Sequence, residues 1–306
     1  MIKKIITLII IIGFIAGCSK DRLVIAPKNQ TLESNFYKTP EELRSALISA
    51  YDPISWVFYY GASTWITLNV ASDDANAGGT PGGQDLLQYQ NADKFTLIPS
   101  TTNGSESLWR KYYAGIYRAN IVLEKAKADD DSMIEIRAEA KFLRAYYYFD
   151  LVRFFGDVVL LDHTVTTEYS LSRTPANKIY EFIVKDLTEA IPDLPDKNEL
   201  TSDQLYRATK SAAQALLGKV YLFMSSPANN YGNYYQNAAD LFGSIIHSGI
   251  YDLFTDYDMS FDAHHKHGIE SLFEIQYTDA FQSTFNYDAN TGYSFDESSV
   301  DFNRAM

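Results

Sequence analysis

Hydrophobic and polar positions along the chain repeat mainly with the period of an α-helix. Between Glu106 and Ala128, Trp109, Tyr112, Tyr113, Ile116, Asn120 and Leu123 recur at steps of three and four, the spacing of one helical stripe. A second stripe, Ala138, Phe142, Ala145, Phe149 and Val152, predicts a helix from about Ile134 to Phe155 that stops at Gly156. Asp129, Asp130 and Asp131 stand between the two, ending one helix and capping the next. Nearer the start, Thr39-Pro40-Glu41-Glu42 opens a helix, with Thr39 as N-cap, Pro40 at the first position and carboxylates in the first turn. Leu43, Leu47 and Ala50 form its packed face. A further helix begins near Thr174-Pro175 and ends at Pro192, while Val158, Val159, Leu160 and Leu161 read as extended.

Two departures from this periodicity matter. From Ala71 to Asn103 the chain turns to loop or short strand, with Gly78, Gly79, Gly82 and Gly83 around Pro81, long enough to carry function. Later, Leu217-Gly218 followed by Tyr221 matches the middle of the tetratricopeptide pattern, and Ala238 with Phe242 reproduces its second helix. An insertion carrying Pro227, Asn229, Asn230 and Gly232 lengthens the turn between them. Small residues at Gly218 and Ala238 let two helices approach while aromatics fill the groove. The pattern fits two generic amphipathic helices or a repeat pair; with the other helices it predicts a mainly α fold, a tetratricopeptide-like helical repeat array with long loops and a few short strands.

Composition narrows the compartment and the partners. The chain has 306 residues, is 46% hydrophobic and carries 44 aromatic side chains (23 Tyr, 18 Phe and 3 Trp), enough to fold around a large core. Its 26 Lys+Arg against 39 Asp+Glu give a formal charge of −13, a poor match for nucleic acid or an anionic membrane surface. One Cys excludes a disulfide scaffold. That Cys follows Lys3-Lys4 and an apolar run from Ile5 to Ala16, too short to span a bilayer and laid out like a secretory signal. The run closes on Ile15-Ala16-Gly17-Cys18, which resembles the lipobox of bacterial lipoproteins, in which the Cys is lipidated and becomes the first mature residue. An ordinary signal peptide ending near a Cys, or a short membrane anchor, is the alternative. Residues 1–17 are therefore expected to be a lipoprotein signal peptide and residues 18–30 a polar tether.

The run Ala138-Glu139-Ala140-Lys141-Phe142-Leu143-Arg144-Ala145-Tyr146-Tyr147-Tyr148-Phe149-Asp150-Leu151-Val152, ending in Phe155-Gly156-Asp157-Val158, resembles the signature segment of the SusD/RagB family of surface glycan-uptake lipoproteins. Four other segments agree in order: the lipobox, Trp109 to Asn120, Thr174-Pro175 leading into Ile179-Tyr180, and Ser248-Gly249 before Tyr251 and Leu253. The resemblance implies a SusD-like helical repeat domain over residues 31–306, incomplete at its C-terminal end. It also implies ligand contacts from the loop before the Trp109 helix and from loops after Tyr277, without fixing the residues.

The chemistry-bearing residues do not assemble into a catalytic motif. There is no Gly-x-Ser-x-Gly elbow, and the Gly78 to Gly83 loop lacks the Gly-Lys-Ser/Thr of a phosphate cradle. His264, His265 and His267 are close in sequence but have no helix to fix a coordination geometry and no glutamate between them, so a solvated loop is expected rather than a metal site. Among paired carboxylates, Asp256 with Asp258 gives no separation to judge. Asp73-Asp74 could order the Gly-rich loop through backbone hydrogen bonds or meet a ligand hydroxyl. Most aromatics fall at core spacing. A different set lies among amides and acids: Tyr89 with Gln84, Asp85, Gln88 and Asn91, and Phe281, Phe285, Tyr287 and Tyr293 with Gln282, Asn286 and Asn290. An exposed ring flanked by such side chains suits a neutral sugar, whose C–H face lies on the ring while its hydroxyls exchange hydrogen bonds with amide and carboxylate groups.

Gln84, Asp85, Tyr89, Asn91, Phe281, Asn286 and Tyr287 are accordingly the expected ligand contacts, with ordinary loop packing as the alternative for each. The function expected is non-catalytic and needs no cofactor: an outer-membrane lipoprotein, held through Cys18 and exposed at the surface, that captures an oligosaccharide or polysaccharide and passes it to a SusC-like TonB-dependent transporter. A surface-anchored glycoside hydrolase and a helical-repeat protein-binding scaffold are the alternatives.

Overall fold

A computed structural model describes residues 36–56, 64–80, 83, 87–96, 103–127, 130–165 and 171–275. Cys18 and the tether, Gln84 and Asp85, and the segment holding Phe281, Asn286 and Tyr287 lie outside the described residues. Residues from Tyr37 onward belong to one unit, and of the other unit, Met1–Phe36, only Phe36 is described. Eight α-helices are described: α1 Pro40–Ser55, α2 Thr64–Val70, α3 Leu87–Asp93, α4 Asn103–Lys125, α5 Asp131–Phe155, α6 Ala176–Ala190, α7 Lys210–Ser225 and α8 Tyr235–Ile246. No described helix is long and apolar enough to cross a membrane.

Local chemistry sets the helix ends where the sequence places them. Thr39 caps α1 in a full capping box, its hydroxyl accepting from the Glu42 N–H while the Glu42 carboxylate accepts from the Thr39 N–H. Asp130 caps α5, so this helix starts at Asp131, three residues before the point its apolar stripe suggests. Gly156 closes it at φ +65°, a conformation that favours glycine. Helix α6 runs into a 3-10 turn, Ile191–Asp193, at the expected proline.

Helix α5 is central, packing on α1, α4, α6 and α7. At its crossing with α4, a Cβ on Gly115 would lie 2.2 Å from the Tyr147 ring, so the approach depends on that glycine. Tyr147 is fully buried, and its hydroxyl donates to the Ala50 carbonyl at 2.6 Å, tying α5 to α1. Three charged residues of α5, Glu139, Arg144 and Asp150, are buried. Glu139, at 0% exposure, accepts from the Tyr51 hydroxyl at 2.6 Å and from Arg207 at 2.6 and 3.0 Å, with Arg44 at 3.4 Å. Burial pushes its carboxyl up to about 7 against the pull of Tyr51 and Arg44. On the α6 side, Arg144 makes a bidentate pair with Asp186 at 2.7 and 2.8 Å and also donates to the Asn120 side chain.

The expected repeat pair is present as α7 and α8. Gly218 faces Phe242, whose ring would sit 2.7 Å from a Cβ there, and Ala238 is buried beside it. Val158 to Leu161 is extended, but its only β pairing among the described residues is a bridge between Val158 and Thr174. Side chains supply the rest. The Tyr113 hydroxyl donates to the Val159 carbonyl, the Tyr148 hydroxyl accepts from the Leu161 N–H, and the Asn120 amide donates to the Leu161 and His163 carbonyls.

Candidate functional site

The stretch before α4 folds around a small core of its own. Val70, Tyr89 and Ala92 are buried together, with Ile66 and Ala77 packed against them, and this cluster joins α2 to α3. Tyr89 is only 4% exposed and lies in a helix. The expectation of an open ring on a loop is corrected here: the step from Tyr89 to Ala92 puts both on one face of α3, and hydrophobic burial takes the ring inside. Asn91 is half-buried, with its carbonyl groups committed to Thr96: the backbone oxygen accepts from the Thr96 N–H at 2.9 Å, and the side-chain oxygen from its hydroxyl at 3.3 Å.

Over this core sits a hollow of about 420 Å³ lined by Ala71, Ser72, Asp73, Asp74, Ala75, Asn76, Asp93 and Phe95. Asp93 builds its wall. One carboxylate oxygen accepts from the Asn76 amide at 3.0 Å and from the Ala77 N–H at 3.4 Å, and the Asn76 side-chain oxygen then takes the Gly78 N–H at 2.7 Å. Gly78 and Gly79 continue the turn at φ +63° and +89°. Loop order therefore comes from Asp93 and Asn76 rather than Asp73-Asp74. The side chains of Asp73 and Asp74 are exposed and make no hydrogen bond among the described residues, which leaves four carboxylate oxygens facing solvent at the hollow.

The ring at the hollow is Phe95, which sequence reasoning missed. It is 75% exposed and sits at φ +52°, two residues past the end of α3, where its N–H donates to the Ala92 carbonyl at 3.2 Å. A phenylalanine in the left-handed region is uncommon and costs conformational energy. The ring stands at the surface, lining the hollow with Asp93 and the free carboxylates. Its one signal in the sequence is a ring between Lys94 and Thr96 at the end of a polar stretch. Ring and carboxylates together offer an apolar platform and hydrogen-bond acceptors, the two needs of a polyhydroxylated ligand.

A larger hollow of about 550 Å³ lies between α5, α7 and the 254–274 segment. Its rings pack on one another, Phe273 on Phe142 at 5.3 Å and on Tyr146 at 6.5 Å, so it presents no free platform. The histidines do not converge beside it: His265 pairs with Asp262 at 3.0 Å and His267 with Glu274 at 3.8 Å. Among the described residues no group of three or more His, Cys, Asp and Glu side chains could hold a metal ion. Asp256 caps a 3-10 turn, accepting from the Asp258 N–H.

Fold and hollow together define a class: a helical-repeat protein whose aromatic and carboxylate groups gather in a loop region ahead of α4. The chain belongs to the SusD-like family, whose model, described as starch-binding associating with outer membrane, matches residues 31–222. A SusD-like protein of Formosa agariphila is 31% identical over 299 residues, covering 93% of this chain and 55% of the relative. Among solved structures, a laminarin binding SusD-like protein superposes with a TM-score of 0.70 at 32% identity, covering 78% of this chain and 52% of that one. Surface glycan-binding protein A from Bacteroides thetaiotaomicron in complex with laminarihexaose gives a TM-score of 0.66 at 27% identity, over 78% of this chain and 50% of that chain. The chain thus spans about half the length of the relatives it matches. The mainly helical SusD-like fold expected from the sequence is the fold observed.

Proposed function

We propose that this protein binds oligosaccharide or polysaccharide without cleaving it, and that the Phe95 hollow is part of its binding face. The observation that carries the reading is the exposed, strained Phe95 ring beside the unbonded carboxylates of Asp73 and Asp74. A pyranose laid on the ring would turn its hydroxyls toward those carboxylates. Names of two structural neighbours, one binding laminarin and one in complex with laminarihexaose, support a glycan as the ligand class. Family membership supports delivery to an outer-membrane TonB-dependent transporter of the SusC type, with the chain held at the surface by a lipid on Cys18. Residues 84–85 and 281–287 remain in the proposal as further contacts at Gln84, Asp85, Phe281, Asn286 and Tyr287.

Calorimetry with laminarihexaose and laminarin tests the reading. Phe95→Ala should weaken binding about tenfold, the loss of one aromatic contact of ~1.4 kcal/mol, with an unchanged melting temperature. Affinity equal to wild type would remove Phe95 from the site, and release of reducing ends by the purified protein would make it an enzyme.

A further inference from the structure

The turn between α7 and α8 carries a second aromatic and amide surface. From Val220 to Ala239 the sequence has no charged side chain, although charged residues make up 21% of the chain. Tyr221, Tyr231, Tyr234 and Tyr235 fall in this run with Asn229, Asn230, Asn233, Gln236 and Asn237.

The turn is rigidly built. The Asn229 and Asn230 N–H groups donate to the Ser226 carbonyl at 3.1 and 2.8 Å, the Tyr231 N–H to the Met224 carbonyl at 2.8 Å, and the Tyr234 N–H to the Ser225 hydroxyl at 2.7 Å. Gly232 lies at φ +149°, and a Cβ there would fall 2.6 Å from the Tyr234 ring, so only glycine lets the backbone close on it. That ring stacks on Tyr221 with centroids 5.2 Å apart and planes 15° apart. Tyr235 is 50% exposed, and its hydroxyl donates to the Ser225 carbonyl at 2.8 Å, which fixes the ring at the surface. Within five residues of it in sequence Asn230, Asn233, Gln236 and Asn237 are exposed, and the side chains of Asn230 and Asn237 make no hydrogen bond among the described residues.

We infer that the α7–α8 turn is a second glycan subsite, specific for a neutral, hydroxyl-rich chain, with Tyr235 as its platform and the asparagine amides as its hydrogen-bonding groups. The ligand class rests on the glycan-binding reading above; the location is independent of it. A ring already held by its hydroxyl loses little freedom when a sugar lands on it. Amides both donate and accept, as sugar hydroxyls do, and the one carboxylate among these contacts, Asp240, already accepts from the Gln236 amide at 2.8 Å. A protein-docking face would carry an apolar core, and this turn offers amides instead. Two subsites on one chain favour a polymer that reaches both, through effective concentration, over a short oligosaccharide that fills one.

Affinity electrophoresis of the 306-residue chain in gels containing laminarin, amylopectin or galactomannan tests this. Tyr235→Ala should reduce retention by the bound polymer about tenfold with an unchanged melting temperature. Tyr235→Phe, which keeps the ring but frees it from Ser225, should be retained less than wild type and more than Tyr235→Ala. Phe95→Ala should leave residual retention that Phe95→Ala/Tyr235→Ala abolishes. Wild-type retention of Tyr235→Ala, or complete loss of retention in Phe95→Ala alone, would overturn the second subsite and leave the first. A wild-type chain retained by none of the three polymers would overturn both. If Tyr235→Ala keeps its retention but loses an envelope protein that co-purifies with the wild type, the turn docks a protein and the glycan assignment is wrong.

Discussion

The crossing of α4 and α5 makes Gly115→Ala a sharp test of the packing argument, because two effects of known size oppose each other. Alanine in a helix interior is worth about 1 kcal/mol more than glycine, so propensity alone predicts a gain. Packing predicts the reverse. The added Cβ would lie 2.2, 2.3 and 2.6 Å from three carbons of the Tyr147 ring. Carbon contacts settle at about 3.5 Å or beyond, so ring or backbone must retreat by about 1.3 Å. Tyr147 has no solvent to retreat into, and its hydroxyl is bound to the Ala50 carbonyl at 2.6 Å. Overpacking costs ~1–3 kcal/mol and breaking the buried Tyr147 hydrogen bond another ~1–3 kcal/mol, which leaves a net loss of about 1–5 kcal/mol after the propensity gain. Gly243→Ala in α8 is the internal control, since its Cβ meets only His247 Nδ1 at 4.0 Å and should be neutral or slightly stabilising. Urea denaturation of the two variants beside wild type decides the matter. Equal midpoints for Gly115→Ala and Gly243→Ala would refute the close crossing.

Other outcomes follow from residues already placed. Tyr89→Ala should lower the resistance of the 64–96 region to proteolysis, because Tyr89 is a core member of the α2–α3 cluster; unchanged cleavage there would contradict its burial. Glu139 has a folded pKa of about 7, above the ordinary 4.5, so its contribution is greatest in acid and fades as pH rises through 7. The wild type should therefore lose stability relative to Glu139→Gln between pH 4.5 and 8, and a difference that grows in favour of wild type would reverse the sign. Cys18→Ala should release the protein from envelope fractions as an unprocessed or soluble chain, since lipid supplies the membrane affinity of an acidic surface; a processed, membrane-bound variant would end the lipoprotein proposal.

Much of the fold was legible because its signals are local. The Thr39 capping box, the Gly156 stop and the Gly218–Phe242 contact each depend on residues close in sequence or on a repeat pattern. What was hidden depends on distant partners. The ion pairs of Glu139, Arg144 and Asp186 carry no local signal, since their partners come from α1, α6 and the Arg207 segment. The site was the least legible part. A seven-residue α3 is too short for its period to separate a core ring at Tyr89 from a surface ring, and the partners that bury it come from α2. Phe95 is exposed through a backbone angle that no composition rule predicts for phenylalanine. Tyr221 of the repeat pattern stacks on Tyr234, the N-cap of α8, a partner that the pattern does not name.

The extended strap from Val158 to Leu161 takes most of its hydrogen bonds from side chains of α4 and α5 rather than from a neighbouring strand. Such a segment has no stable form of its own. Its order in time is therefore set by the helices: until Tyr113, Asn120 and Tyr148 stand side by side, its backbone beyond the Val158–Thr174 bridge has only water to bond. The strap should lock late in folding, and strap substitutions should speed unfolding while leaving the refolding rate nearly unchanged. The Leu161 amide then serves as a built-in reporter, exchanging its hydrogen whenever the Tyr148 hydroxyl lets go, and so timing the opening of the α4–α5 pair from outside it.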